Sequence, residues 1–103
     1  MKELNRDNFK KFVGENKVCV VDFWSSTCMP CRILAPIFEE AADEMDGKAE
    51  FAKFNIDDWQ ELAVEHGIEY VPTLIVFNSG KEVDRIVGMA DKVKIIAMVE
   101  KQL

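Results

Sequence analysis

The sequence predicts an α/β fold, a central mixed sheet covered by helices on both faces, and three features carry that expectation. Strand-like apolar runs at 17–24, 49–56 and 71–78 alternate with stretches of helical periodicity. The run Val18-Cys19-Val20-Val21 is almost unbroken in apolar residues, as in a strand buried on both sides. A turn signal, Asn78-Ser79-Gly80, then adds an antiparallel hairpin to the alternation.

Each element has its own warrant. Asp7 is placed to cap a short helix to Val13, with Phe9, Phe12 and Val13 on one side. Lys17 to Trp24 reads as the first long strand. Pro30 suits the first turn of the next helix, where its missing N–H costs nothing. Ile33, Leu34, Ile37, Phe38, Ala41 and Met45 recur there at helical spacing, and Pro36 inside the run should kink it. Ala49 to Ile56 alternates as a second strand. Asp58 and Glu61 form a capping-box pattern for a helix ending at His66-Gly67, where a partly positive histidine is welcome. The Asp57-Asp58 pair reads as capping and Trp59 as packing. Val71 to Asn78 is a strand, and Glu82 to Val87 returns beside it. Asp91 caps a last helix that buries Ile95, Ile96, Val99 and Leu103.

At 103 residues the chain is expected to form one domain, residues 1–103. Nineteen acidic against thirteen basic residues give a net charge of −6, which repels a phosphate backbone and argues against nucleic acid. The start, Met1 to Asp7, has no apolar stretch to serve as a signal peptide, and nothing approaches the ~20 apolar residues of a membrane span. A cytoplasmic, reducing address is the expectation. Three cysteines in that setting point to metal, catalysis or burial rather than to a stabilising framework.

Cys28-Met29-Pro30-Cys31 is the chemically loaded stretch. Structural zinc wants four ligands, and the remaining soft ones are Cys19, on the apolar strand, and His66. Covalent haem attachment requires histidine after the second cysteine, where Arg32 stands, and cubane clusters need more cysteines. A redox pair remains. Cys28 falls at the first turn of a helix, where free N–H groups, the helix dipole and Arg32 favour its thiolate as the attacking species. Cys31, one turn further, is placed to resolve the mixed disulfide.

Taken together, Val21-Asp22-Phe23-Trp24, Cys28-Met29-Pro30-Cys31, Phe54-Asn55-Ile56-Asp57, Val71-Pro72-Thr73 and the late Gly88 resemble the thioredoxin family. The match runs from about Lys17 to the carboxyl end without an obvious gap, and an amino-terminal strand and helix are compatible with it. The resemblance implies the thioredoxin fold and a dithiol carrier that reduces protein disulfides and is re-reduced by a thioredoxin reductase. It implies no metal or organic cofactor, no membrane partner and a monomer. It makes Asp22 a proton acceptor that activates Cys31 through water, with Lys53 lying near and moderating its charge. Alternation by itself puts Asp22 on one face with Val18, Val20 and Trp24. There a buried carboxylate stays protonated to higher pH, or is simply hydrogen-bonded near a strand end. The resemblance also makes the Val71–Pro72 bond cis, against a background of ~5–6% for X–Pro bonds. Val71 would pair with an extended substrate segment, on a docking surface shared with Trp24, Ile56, Pro72 and Gly88. Cys19 reads as a small buried hydrophobe on the opposite face.

Four positions depart from the family pattern. Thr27 and Met29 stand where tryptophan and glycine are commonest, and Tyr70 and Met89 replace smaller residues. They make the docking surface bulkier. Pro30 is retained, which in this family accompanies a reducing character. Residues between the cysteines tune redox poise, and ~30 mV corresponds to about 1.4 kcal/mol. An NADPH-dependent flavoprotein is the expected donor, with a ferredoxin-fed reductase as the alternative. A redox-inert interaction module would have no reason to keep Cys28, Cys31, Asp22 and Pro72 together. The expected absence of a signal peptide and the retained Pro30 count against an oxidase or isomerase domain, and the stretch from Trp24 to Cys31 counts against a glutathione-dependent glutaredoxin.

Overall fold

A computed structural model describes residues 1–103. The elements are β1 (Lys2–Leu4), α1 (Phe9–Glu15), β2 (Val18–Trp24), α2 (Met29–Glu44), β3 (Glu50–Asn55), α3 (Gln60–Glu65), β4 (Thr73–Asn78), β5 (Lys81–Val87) and α4 (Lys92–Glu100). The sheet order is β1-β3-β2-β4-β5. β3 runs parallel to β1 and β2, whereas β4 is antiparallel to both β2 and β5. No helix is long and apolar enough to cross a membrane.

β2 is central and its first six residues are wholly or almost wholly buried, because each face of the sheet carries a helical layer. On one face Val18, Val20, Phe51, Leu74 and Val76 pack with Leu34, Phe38 and Ala41 of α2 and Ile95, Met98 and Val99 of α4. On the other, Cys19, Val21, Phe23, Phe54, Ile75 and Phe77 pack with Phe9, Phe12 and Val13 of α1 and Leu62 of α3. Lys92 ties the two helices of the first layer through Glu44 at 2.7 Å.

Several expectations are corrected at element ends. Asp7 does not cap α1. Asn8 is the N-cap without a side-chain bond, and Asn5 Oδ1 instead accepts the N–H groups of Asp7 and Asn8. The capping box at Asp58 and Glu61 does not form, since α3 starts after Trp59 with no side-chain cap. β3 begins at Glu50 because the Ala49 N–H is still bonded to Met45 O, and β4 begins after Pro72, which has no N–H to give. Ile33 and Leu103 are exposed, at 56% and 57%, so the apolar stripes of α2 and α4 are narrower than their periodicity suggests.

His66 departs from its helix-end reading. Its ring packs 5.3 Å from Phe9 and 5.8 Å from Phe77, and burial holds its pKa down. The cation serving the carboxyl end of α3 is Arg85, which donates to His66 O at 2.7 Å. Asp91 does cap α4, accepting the Lys94 N–H at 2.8 Å, and the hairpin turns through Ser79 and Gly80, both at positive φ.

Candidate active site

Parallel β2 and β3 both end at the same edge of the sheet, and the loop Ser25–Thr27 carries the chain from β2 into α2. Cys28 is the N-cap of α2, with extended backbone, and its sulfur accepts the Cys31 N–H at 3.2 Å. Sulfur here fills the role of the serine or aspartate oxygen at an ordinary helix start. That is one residue before the first-turn position read from the sequence. Cys28 and Cys31 are joined as a disulfide across a Cα separation of 5.3 Å. Cys28 is half-buried and Cys31 buried, so an incoming group meets Cys28 first.

The second wall of the site comes from the chain before β4. Val71 O lies 3.6 Å from Cys28 Sγ, and the Val71–Pro72 peptide is cis, with Pro72 buried. Thr73 Oγ1 donates to Tyr70 O at 2.6 Å and the Gly88 N–H donates to Pro72 O at 2.8 Å. Gly88 has φ of 91°, which a side chain would strain. The Ile56 N–H donates to Trp24 O at 2.9 Å. These bonds tie Trp24 to Ile56 and Pro72 to Gly88, and Val71 is in contact with Cys28 through its carbonyl. Thr27 and Pro30 are exposed, as are Met29 at 64%, Tyr70 at 69% and Met89 at 44%.

Asp22 is wholly buried, and neither carboxylate oxygen has a hydrogen-bond partner in the protein. The reading of a carboxylate satisfied near a strand end is therefore set aside. Burial pushes its carboxyl up to about 7, the Lys53 ammonium opposes that rise, and Glu3 adds to it. Lys53 is the register partner of Asp22 on β3, yet its Nζ sits 4.9 Å over the Trp24 ring. Cys19 lies in the other layer, where burial pushes its thiol up to about 12.

The residue that sequence reasoning missed is Asp57. It caps no helix. Its carboxylate accepts from Ser26 Oγ at 2.9 Å, the Ser26 N–H at 3.2 Å and Ser25 Oγ at 3.1 Å, and these bonds from Ser26 and then Ser25 hold its pKa down. Arg32 Nη2 donates to Ser26 O at 3.0 Å, so this guanidinium braces the same loop. No local pattern signals it, since Ser25-Ser26 and Asp57 meet only because β2 and β3 are parallel neighbours in the sheet.

The family model described as thioredoxin matches residues 1–101. The chain is 44% identical to the chloroplastic M-type thioredoxin of Chlamydomonas reinhardtii over 101 residues, covering 97% of this chain and 72% of that protein. It is 36% identical to the thioredoxin of Chlorobaculum thiosulfatiphilum, covering 98% and 94%. The solved structure of a mutant thioredoxin from Halobacterium salinarum superposes with a TM-score of 0.90 at 29% identity, covering 98% of this chain and 88% of that one. Family match, fold and paired cysteines agree: the chain belongs to the thioredoxin family and is a thiol–disulfide oxidoreductase working through Cys28 and Cys31.

Proposed function

We propose that the protein runs as a disulfide reductase in which Cys28 attacks, Cys31 resolves and Asp22 takes the resolving proton. The observation that carries this reading is the cysteine pair at the start of α2, with its exposed-side sulfur on the Cys31 N–H and its buried partner behind it. In the first step the Cys28 thiolate attacks one sulfur of a client disulfide, forming a mixed disulfide and expelling the client's other sulfur as thiolate. In the second, Cys31 gives its proton to the Asp22 carboxylate and attacks Cys28 Sγ. The mixed disulfide breaks, the client leaves with its second thiolate, and two electrons have passed from the protein to the client.

Lys53 keeps the Asp22 charge tolerable, and a carboxylate near neutrality is well matched to a proton it must both take and return. Val71 offers its backbone to an extended client segment, since its N–H has no partner within the chain. Trp24, Ile56, Pro72 and Gly88 form the floor of that docking surface, with Thr27, Met29, Pro30, Tyr70 and Met89 at its rim. The donor we assign is an NADPH-linked thioredoxin reductase. The bulky exposed rim favours, as a second reading, a ferredoxin-fed reductase shaped to it. A reducing, cytoplasmic setting and a monomeric chain of one domain complete the proposal, with the plastid, the compartment named for the Chlamydomonas relative, as the alternative address.

Titration of the pair in graded dithiothreitol buffers, read by thiol trapping and mass, tests the direction. A two-electron transition at a strongly reducing potential is expected. A much more oxidising transition would contradict the reductase role. Supplying each reductase class in turn separates the two donors.

A further inference from the structure

Glu3, Lys53 and Asp22 stand side by side on β1, β3 and β2. Lys53 is the register partner of both carboxylates, so all three side chains leave the same face of the sheet. Trp24, two residues beyond Asp22, shares that face. Its indole Nε1 donates to Glu3 Oε1 at 3.2 Å, while the Lys53 ammonium lies 4.9 Å over its ring. The indole is thus held at its edge by an anion and on its face by a cation, and the Asp22 oxygens receive no hydrogen bond from either.

We propose that Glu3 is a positioning residue for the proton transfer to Asp22, holding Trp24 by its edge and keeping the Lys53 ammonium on the indole rather than against the Asp22 carboxylate. The inference rests on the reading of Asp22 as the acceptor. Its physical content is a division of one positive charge between two negative ones. If Lys53 served Asp22 alone, the carboxylate would be a weaker base and a poorer acceptor for the Cys31 proton. Glu3 prevents that twice, by its own negative field and by the indole it anchors. The charged groups acting on Asp22 are Lys53 on β3 and Glu3 beyond it on β1, and Cys31 is the one titratable side chain buried on α2. The β4 register partner, Leu74, is uncharged, as are the buried residues of α4.

The test compares wild type, Glu3→Gln and Glu3→Ala in the reduced protein. Glutamine keeps an oxygen for the indole and removes only the charge, whereas alanine removes both. Carboxyl-carbon NMR reads the Asp22 titration directly. Glu3 lies two strands away, about 10 Å, so Glu3→Gln is expected to lower the Asp22 midpoint by about 0.3–0.6 pH unit at low salt. The difference should shrink at high salt. Glu3→Ala should lower it at least as far and also move the Trp24 indole N–H resonance. An Asp22 midpoint unchanged in both variants would overturn the proposal and leave Glu3 a strut for Trp24. Failure of the acceptor reading shows separately, as a resolution rate that Asp22→Asn leaves unaltered while the Glu3→Gln shift persists, and it would overturn the step assigned to Glu3.

Discussion

Cys19 and Asp22 lie three residues apart on β2, both wholly buried, on opposite faces of the sheet. Burial raises the pKa of each. Cys19, among phenylalanines and valines and with Glu50 adding to the rise, reaches about 12 and stays a neutral thiol at any working pH. Asp22 stops near 7, because Lys53 stands beside it and opposes the effect of burial. It also lies toward the carboxyl end of the strand, the end where α/β sheets bind their ligands. Burial by itself makes a group inert. Burial next to a counter-charge, at the working edge of the sheet, makes one that can exchange a proton.

The largest expected effect separates the thiols. Cys28→Ser should end disulfide reduction, Cys31→Ser should accumulate the mixed disulfide, and Cys19→Ala should do neither. Turnover of a protein disulfide together with intact mass reads all three. Iodoacetamide on the reduced native protein should label Cys28 first. Labelling of Cys31 first would reverse the assigned roles.

Asp22→Asn sharpens the contrast through stability. The carboxyl titrates near 3.8 when unfolded and near 7 when folded. Between those values the folded chain keeps a proton that the unfolded chain has released, so stability falls as pH rises and the cost is complete above about 7. That cost is about 4 kcal/mol, so urea midpoints should favour the asparagine variant at pH 8.5 and converge toward pH 4. Parallel curves for the two proteins would contradict the buried-carboxylate account.

Asp57→Ala tests whether the loop itself matters. Losing its bonds to Ser25 and Ser26 should slow client reduction, but by less than the ~100-fold that a 1 Å misplacement can cost. Asp57→Asn should recover part of the rate. The smallest effect belongs to Cys19→Ala, with unaltered activity and a loss of about 1 kcal/mol in chemical denaturation for the small cavity. A change in redox potential there would break the comparison.

The sheet and the cysteine pair were legible because they depend on local patterns: apolar continuity in β2, helical spacing in α2, and two thiols at fixed separation. Asp91 as a cap was legible for the same reason. Asp7, Asp58 and His66 were misread because several side chains compete for each helix end. Asn5 took the bonds expected of Asp7, and Arg85, from a distant strand, took the place at the end of α3. Asp57 was hidden because its partners are about thirty residues away, and only the pairing of β2 with β3 brings the two loops together. Glu3 was silent because its neighbours belong to a strand order, β1-β3-β2, that the sequence does not spell out.

The most direct test of the central claim is the pH dependence of mixed-disulfide resolution, with a client thiol preloaded on Cys28 and its release by Cys31 followed in wild type and Asp22→Asn. If Asp22 accepts the proton, the wild-type rate rises through an inflection near 7, and the variant is slower and lacks that inflection. Superimposable profiles for the two proteins would show that Cys31 loses its proton elsewhere, and Asp22 would join Cys19 as a buried bystander.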